Sequence, residues 1–304
     1  MKHVICPACG GNCVRNGKTK SGSQRWLCKT CSVTFTQQID NSSKQLKIFL
    51  NWLISKETQR EMPGGGRTFR RKTSRFWEIW PMPPLIESKR EVLYVDGIYL
   101  GRKACILICC DDKYVLGWYL CRYEHSRAWK ALLSRIAEPR VVVSDGGKGF
   151  AKALRKTWPH AEHQRCTFHA FCQIRRYTTS KPKTAAGLEL YNLAKDLLHI
   201  DSKEEAEEWT VKFIDWMRRY NSFLSQMTYD EFGNGRPTHE RLIKAQKSTL
   251  KLIKDGNLFT YLDKNLIDEI GKIPSTNNQI EGGVNARLRE TLRNHRGLSI
   301  ERRI

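Results

Sequence analysis

Residues 91–121 read EVLYVDGIYLGRKACILICCDDKYVLGWYLC. Three apolar runs rich in β-branched and aromatic residues, 91–100, 103–110 and 114–121, are separated by stretches too short for anything but tight turns, which predicts three consecutive antiparallel strands. Asp111 and Asp112 fall between the second and third runs and read as a hairpin turn. Asp96 does not fit the apolar pattern around it. It closes the run VLYVD, is followed by Gly97, and is costly to bury without a partner. The thiols Cys105, Cys109, Cys110 and Cys121 lie inside the apolar runs and read as small core hydrophobes.

Outward from these strands, SRAWKALLSRIA (126–137) has helical spacing, and RVVVSDGG (140–147) is a buried strand that ends in Asp145 and two glycines. FAKALRKTW (150–158) is again helical, and AEHQRC (161–166) is a short further strand. Three antiparallel strands followed by helix, strand, helix and strand is the element order of a ribonuclease-H-like fold in the mixed α/β class (α+β). Residues 185–270 are mostly amphipathic and helical, as in DSKEEAEEWTVKFIDWMRRY, and a last helix is expected to begin near Thr276–Asn277 in STNNQIEGGVNARLRETLR.

Two carboxylates at the ends of Val-rich strands are hard oxygen ligands on rigid neighbours, the donor set a divalent cation needs, with glycines leaving room for a phosphate. A third acid is expected from a later helix. Glu281 is the candidate, early in the last helix and followed by Gly282 and Gly283.

The N-terminal part differs in composition. The chain has 304 residues, a formal net charge of +22 and a pI of about 9.7. Residues 1–90 hold 17 Lys and Arg against 5 Asp and Glu. A surplus of that size calls for a polyanionic partner, and its clustering puts the DNA grip at this end. Five of the eleven cysteines fall in the first 31 residues. Cys6-x2-Cys9 and Cys28-x2-Cys31 are two knuckles 18 residues apart, the spacing of a four-thiolate zinc site. Residues 1–37 are therefore read as a zinc ribbon with one structural Zn2+, since too few apolar residues are present to fold without it. Arg15, Lys18, Lys20, Arg25 and Lys29 surround the knuckles and suit phosphate contacts.

Residues 42–80 read as a helix at 42–54, a short helix near Glu57–Glu61, a glycine turn at 64–66 and a basic helix from Arg67 to about Trp77. That is the outline of a helix-turn-helix, with a plain three-helix connector as the rival. Arg67, Arg70, Arg71, Lys72 and Arg75 are its candidate DNA contacts. WPMPP (80–84) reads as a linker. No stretch has the length and apolarity of a membrane span or a signal peptide, so the chain reads as soluble and intracellular.

YVDGIYL, VSDGGKGF, QRCTFH and STNNQIEGGVNARLRE, in this order, resemble the Mutator-like transposases of bacterial insertion sequences. The resemblance covers roughly residues 90–304. It implies a catalytic domain of the two-aspartate, one-glutamate type, with a helical insertion at about 180–272. The family's acids fall on Asp96, Asp145 and Glu281, which would hold two catalytic Mg2+ (or Mn2+) ions. Its Cys-x2-His element falls on Cys166 and His169, which either bind metal or brace the core and contact DNA. The implied partners are double-stranded DNA, as terminal repeats and target, and a second copy of the chain, in the cytoplasm at the nucleoid. The implied chemistry is metal-dependent strand cleavage and strand transfer.

The chain stops at Ile304, 23 residues past Glu281, where such proteins generally continue for several helical turns. The alternative reading is therefore a truncated or inactive remnant that only binds DNA. A ribonuclease-H-like nuclease or resolvase without strand transfer is the other class left open.

Overall fold

The computed structural model describes residues 3–37 and 41–304; Met1 and Lys2, the first residues of the segment read as a ribbon, lie outside them. The chain divides into two compact units, up to Trp80 and from Pro81 onward. No helix among the described residues is long and apolar enough to cross a membrane.

The first unit opens with a three-stranded antiparallel sheet, β1 (Cys13–Lys18), β2 (Gln24–Cys28) and β3 (Thr34–Thr36), in that order. Gly17 and Gly22 take positive φ of 69° and 83° where β1 turns into β2. Helix α1 (Ser42–Ile54) and helix α2 (Gly65–Thr73), continued by a 3-10 turn at Ser74–Glu78, close on an aromatic cluster of Phe49, Trp52, Phe69, Phe76 and Trp77. The helix expected near Glu57–Glu61 is a turn. There the Glu61 carboxylate accepts from the Thr58 backbone N–H at 2.5 Å, a local bond that replaces helical pairing. The basic helix ends at Thr73, four residues early.

The second unit is built on a mixed five-stranded sheet of order β6-β5-β4-β7-β8. Strands β4 (Val92–Leu100), β5 (Ala104–Cys110) and β6 (Val115–Cys121) form the antiparallel meander the apolar runs predict. Helix α3 (Ser126–Leu133) leads to β7 (Val141–Ser144), then α4 (Lys148–Thr157) to β8 (Glu162–Arg165). Both crossovers return parallel to β4, so that β4 lies between β5 and β7. Asp111 makes the β5–β6 hairpin by accepting from the backbone N–H of Lys113 and Tyr114.

The period of two decides what each sheet face holds. Leu93, Val95, Leu107, Cys109 and Val142 pack against Trp129, Leu132 and Leu133 of α3 and Phe150 and Leu154 of α4. Tyr94, Ile98, Ile108 and Val143 face the other way, onto Ile280, Val284 and Leu288. The thiols of Cys105, Cys109 and Cys110 are wholly buried in these layers, and burial raises the pKa of each.

After β8 come the helices α5 (Thr167–Thr178), α6 (Ala185–Asp196), α7 (Lys203–Arg219) and α8 (Asn221–Leu224). A small hairpin of β9 (Met227–Tyr229) and β10 (Gly235–Pro237) precedes α9 (Glu240–Lys254) and α10 (Lys264–Ile270). Helices α5, α6, α7 and α9 share one apolar core around Ile174, Leu190, Trp209, Phe213 and Trp216. The chain then returns to the sheet through a π-helical turn, Gln279–Asn285, and helices α11 (Ala286–Asn294) and α12 (Ile300–Arg303).

Candidate active site

Asp96 does not end its strand, as the sequence reading had it. It is the fifth residue of β4, which runs on to Leu100. What ends there is its neighbour. The parallel pairing of β4 with β7 stops at Val95 opposite Ser144, so Asp96 and Asp145 are the next residues on two adjacent parallel strands. By alternation Asp96 shares a face with Tyr94 and Ile98, the face covered by the π-helical turn that carries Glu281. Burial, and then the charges of Asp145 and Glu281, raise the Asp96 carboxyl from 3.8 to about 7.

Two asparagines fix the Glu281 turn against β4. Wholly buried Asn277 donates its side-chain N–H to the Val95 carbonyl at 3.0 Å and its backbone N–H to Cys166 Sγ at 3.2 Å. Asn285, also wholly buried, donates its side-chain N–H to the Asp96 carboxylate. Asn285 is four residues after Glu281, so the turn presents both toward Asp96. Gly282 and Gly283 have open space where a side chain would stand.

The Asp145 end is held from below. Gly147 N–H donates to Asp145 Oδ1 at 2.9 Å, and Gly146 N–H to Ser144 Oγ at 3.0 Å. Ser144 Oγ is 2.8 Å from His163 Nε2, whose ring takes a bond from Asn257 Nδ2 at Nδ1. Burial, and then Arg165, lower His163 to about 4, so it is neutral and donates to Ser144. Arg165, 7% exposed, donates to Gln173 and lies directly beneath Gly146; a Cβ there would come within 2.0 Å of Nη1. The room beside both aspartates is therefore not left for a phosphate. The space at Gly146 holds Arg165, and that at Gly97 holds the carboxylate of Glu124, whose Oε1 would be 2.5 Å from a Cβ.

Cys166 and His169 stand at the start of α5, with ligand atoms within 4.8 Å of each other and of Glu281. His169 Nδ1 is 3.4 Å from Glu281 Oε1, but the two do not align as a hydrogen bond. Cys166 is wholly buried and braces the 275–277 segment.

In the first unit the four sulfurs of Cys6, Cys9, Cys28 and Cys31 lie within 4.8 Å of one another. The pairs Cys6–Cys31 and Cys9–Cys28 are 3.6 and 3.5 Å apart. A tetrahedral Zn–S site with bonds of about 2.3 Å has sulfur–sulfur edges of roughly 3.8 Å, so the cluster suits such an ion. The backbone N–H groups of Cys31 and Thr30 lower the Cys28 thiol to about 6. Cys13 lies outside the quartet, its thiol turned to the Gly11 carbonyl. Arg15, Lys18, Lys20, Arg25 and Lys29 are exposed around the sheet, and Arg67, Arg70, Arg71, Lys72 and Arg75 are exposed on α2 and its continuation.

The sequence reading missed Asn277, Asn285, Arg165 and Glu124. Only Asn285 had a local signal, its spacing of four from Glu281; the others are defined by contacts across the fold.

Residues 104–232 match the family model described as Transposase, Mutator family, a stretch that contains Glu124, Asp145, Cys166 and His169. The transposase for insertion sequence element IS905 of Lactococcus lactis subsp. lactis (strain IL1403) is 28% identical over 159 residues, 47% of this chain and 40% of that protein. The transposase for insertion sequence element IS6120 of Mycolicibacterium smegmatis is 27% identical over 154 residues, 45% of this chain and 46% of that protein. The similarity to Mutator-type insertion-sequence transposases that the motifs suggest is thus found by both comparisons. The matched part of the chain spans less than half the length of these relatives.

Proposed function

We propose that this chain is a DNA transposase of an insertion sequence, with a ribonuclease-H-like core that cleaves element ends and joins them to target DNA. The observation that carries the reading is the meeting of Asp96 and Asp145 on adjacent parallel strands under a turn that carries Glu281, in a chain similar to Mutator-family transposases. The antiparallel meander followed by two parallel crossovers supports the choice of core.

The three carboxylates are hard oxygen donors and suit Mg2+ or Mn2+, which when bound would neutralise the site and activate a water or a DNA 3′-hydroxyl for in-line displacement. The chain's own part is positional. Asn285 orients Asp96, and Gly147 N–H orients Asp145 Oδ1. Near neutral pH Asp96 is poised between its acid and its anion, so cation binding is coupled to release of its proton. Cys166 and His169 brace the turn that delivers Glu281.

The first unit supplies the DNA grip in this reading. Its four-cysteine sheet is a zinc ribbon, α1 and α2 form a helix-turn-helix-like segment, and their exposed Arg and Lys meet phosphates. Two element ends must be handled together, so the active species is a dimer or larger. The test is cleavage and joining of terminal-repeat DNA with Mg2+ by the wild type beside Asp145→Asn. Wild-type activity that the variant lacks supports the proposal; tight DNA binding without cleavage by the wild type refutes it and favours a DNA-binding remnant. Cleavage without joining favours a nuclease.

A further inference from the structure

We propose that Glu124 is a fourth carboxylate of this site, sharing a divalent cation with Asp145, so that the end of the sheet is built from four acids. The inference rests on the reading of Asp96 and Asp145 as cation ligands. It starts from the space beside Gly97. Alternation points the missing side chain of Gly97 away from the Glu281 face, toward α3. Strand β7 ends at Ser144, so no neighbouring strand closes that side of β4 beyond Val95. The carboxylate of Glu124, from the loop between β6 and α3, occupies the gap, 2.5 Å (Oε1) and 2.7 Å (Cδ) from where a Gly97 Cβ would be.

The same carboxylate reaches the other aspartate. The Cβ position of Gly147 lies 3.4 Å from Asp145 Oδ1 and 3.9 Å from Glu124 Oε2, so the two oxygens flank one small space. The loop that carries Glu124 is fixed. His125 Nδ1 accepts from the Ala128 N–H at 3.1 Å as the cap of α3, and Gly149 of α4 packs so closely that a Cβ would be 3.2 Å from the Glu124 carbonyl.

Half-buried and turned toward a second carboxylate, Glu124 is in an unfavourable position for an anion. Burial, then Asp145, raise its pKa, while Trp129 and Tyr99 oppose them. Among the described residues no Lys, Arg or His forms an ion pair with it, in a chain of 53 basic residues. A divalent cation supplies the missing countercharge. A separate observation points the same way. The wholly buried Asn285, whose amide N–H is on Asp96, has no hydrogen-bond donor for its Oδ1. An orphaned amide oxygen beside the acids is a hard donor that a cation, and no group of the chain, would satisfy.

The test uses the full chain in zinc-containing, magnesium-free buffer, titrated with Mn2+ and followed by electron paramagnetic resonance of the free ion. The expected result is two Mn2+ per wild-type chain. Glu124→Gln should lose one of them or bind it at least about ten-fold more weakly, and circular dichroism should be unchanged. Gly97→Ala leaves every acid in place but displaces the Glu124 carboxylate, and should reproduce the loss. Wild-type stoichiometry and affinity in both variants, or no Mn2+ bound by the wild type, overturns the inference. DNA cleavage is scored separately. Loss of an ion in both variants of a chain that never cleaves DNA upholds the four-acid site and defeats the transposase reading. A cleaving enzyme indifferent to both substitutions does the reverse.

Discussion

Asp96→Asn is expected to change the pH dependence of stability. Burial and the Asp145 and Glu281 charges hold the Asp96 carboxyl at about 7, against an ordinary 3.8. At about 1.4 kcal/mol per unit, the full shift corresponds to roughly 4 kcal/mol. The sign follows from proton counting. Between pH 4 and pH 7 the folded chain holds a proton at Asp96 that the unfolded chain has released, so stability falls as pH rises through that window and levels off above it.

Asparagine keeps the shape and cannot ionise, so the variant should lack this loss. From pH 5 to pH 8 the wild type should weaken by about 3 kcal/mol relative to Asp96→Asn. In a unit of this size that is roughly 6–12 °C in the midpoint of melting. Thermal melts of both proteins in magnesium-free buffer, with zinc retained, measure it. Magnesium added at pH 8 should restore the wild type and leave the variant where it was. A difference between the two proteins that stays constant within about 1 kcal/mol from pH 5 to pH 8 would refute the account of the buried acid.

Three further outcomes are expected. Cys9→Ser should reduce the zinc content measured by mass spectrometry, because the four sulfurs form one quartet; unchanged zinc would disprove a zinc role for them. Charge removal at Arg70, Arg71 and Lys72 together should lessen the salt dependence of DNA binding by a slope of up to about 3, if each contacts one phosphate, as a filter-binding salt series would read; an unchanged slope places the phosphate contacts elsewhere. Gly146→Ala should cost at least about 2 kcal/mol in chemical denaturation, since φ is +75° and the new methyl group meets buried Arg165; a loss under 0.5 kcal/mol would contradict the packing.

The strands were legible because each run of apolar side chains is long, β-branched and bounded by polar turns, and the two aspartates were conspicuous for interrupting those runs. Burial made them conspicuous, and no knowledge of the fold was required. Glu124 gave no such signal. A single glutamate just before a helix looks like an ordinary first-turn acid, and its significance comes from Gly97, 27 positions earlier in the chain. The same holds for Arg165, whose companion is Gly146 on another strand. The glycines were read correctly as places of close approach, but what approaches was not readable from neighbours in sequence. Near Glu57–Glu61 the error was of another kind, because a side chain that bonds its own backbone overrode helix propensity.

The π-helical turn at Gln279–Asn285 makes the site sensitive to counting. Such a turn carries one more residue than an α-helical turn, and each residue of an α-helix advances the direction of its side chains by about 100°. Deleting Gly282 or Gly283, which touch nothing, would remove no contact and no charge, yet it would let the segment tighten into an ordinary helix. Everything after the deletion would then be turned by more than a quarter of a revolution. Glu281 and Asn285 could no longer both face Asp96. Two side chains that make no interaction of their own would thus be as indispensable as any acid, because they set the phase in which the acid arrives.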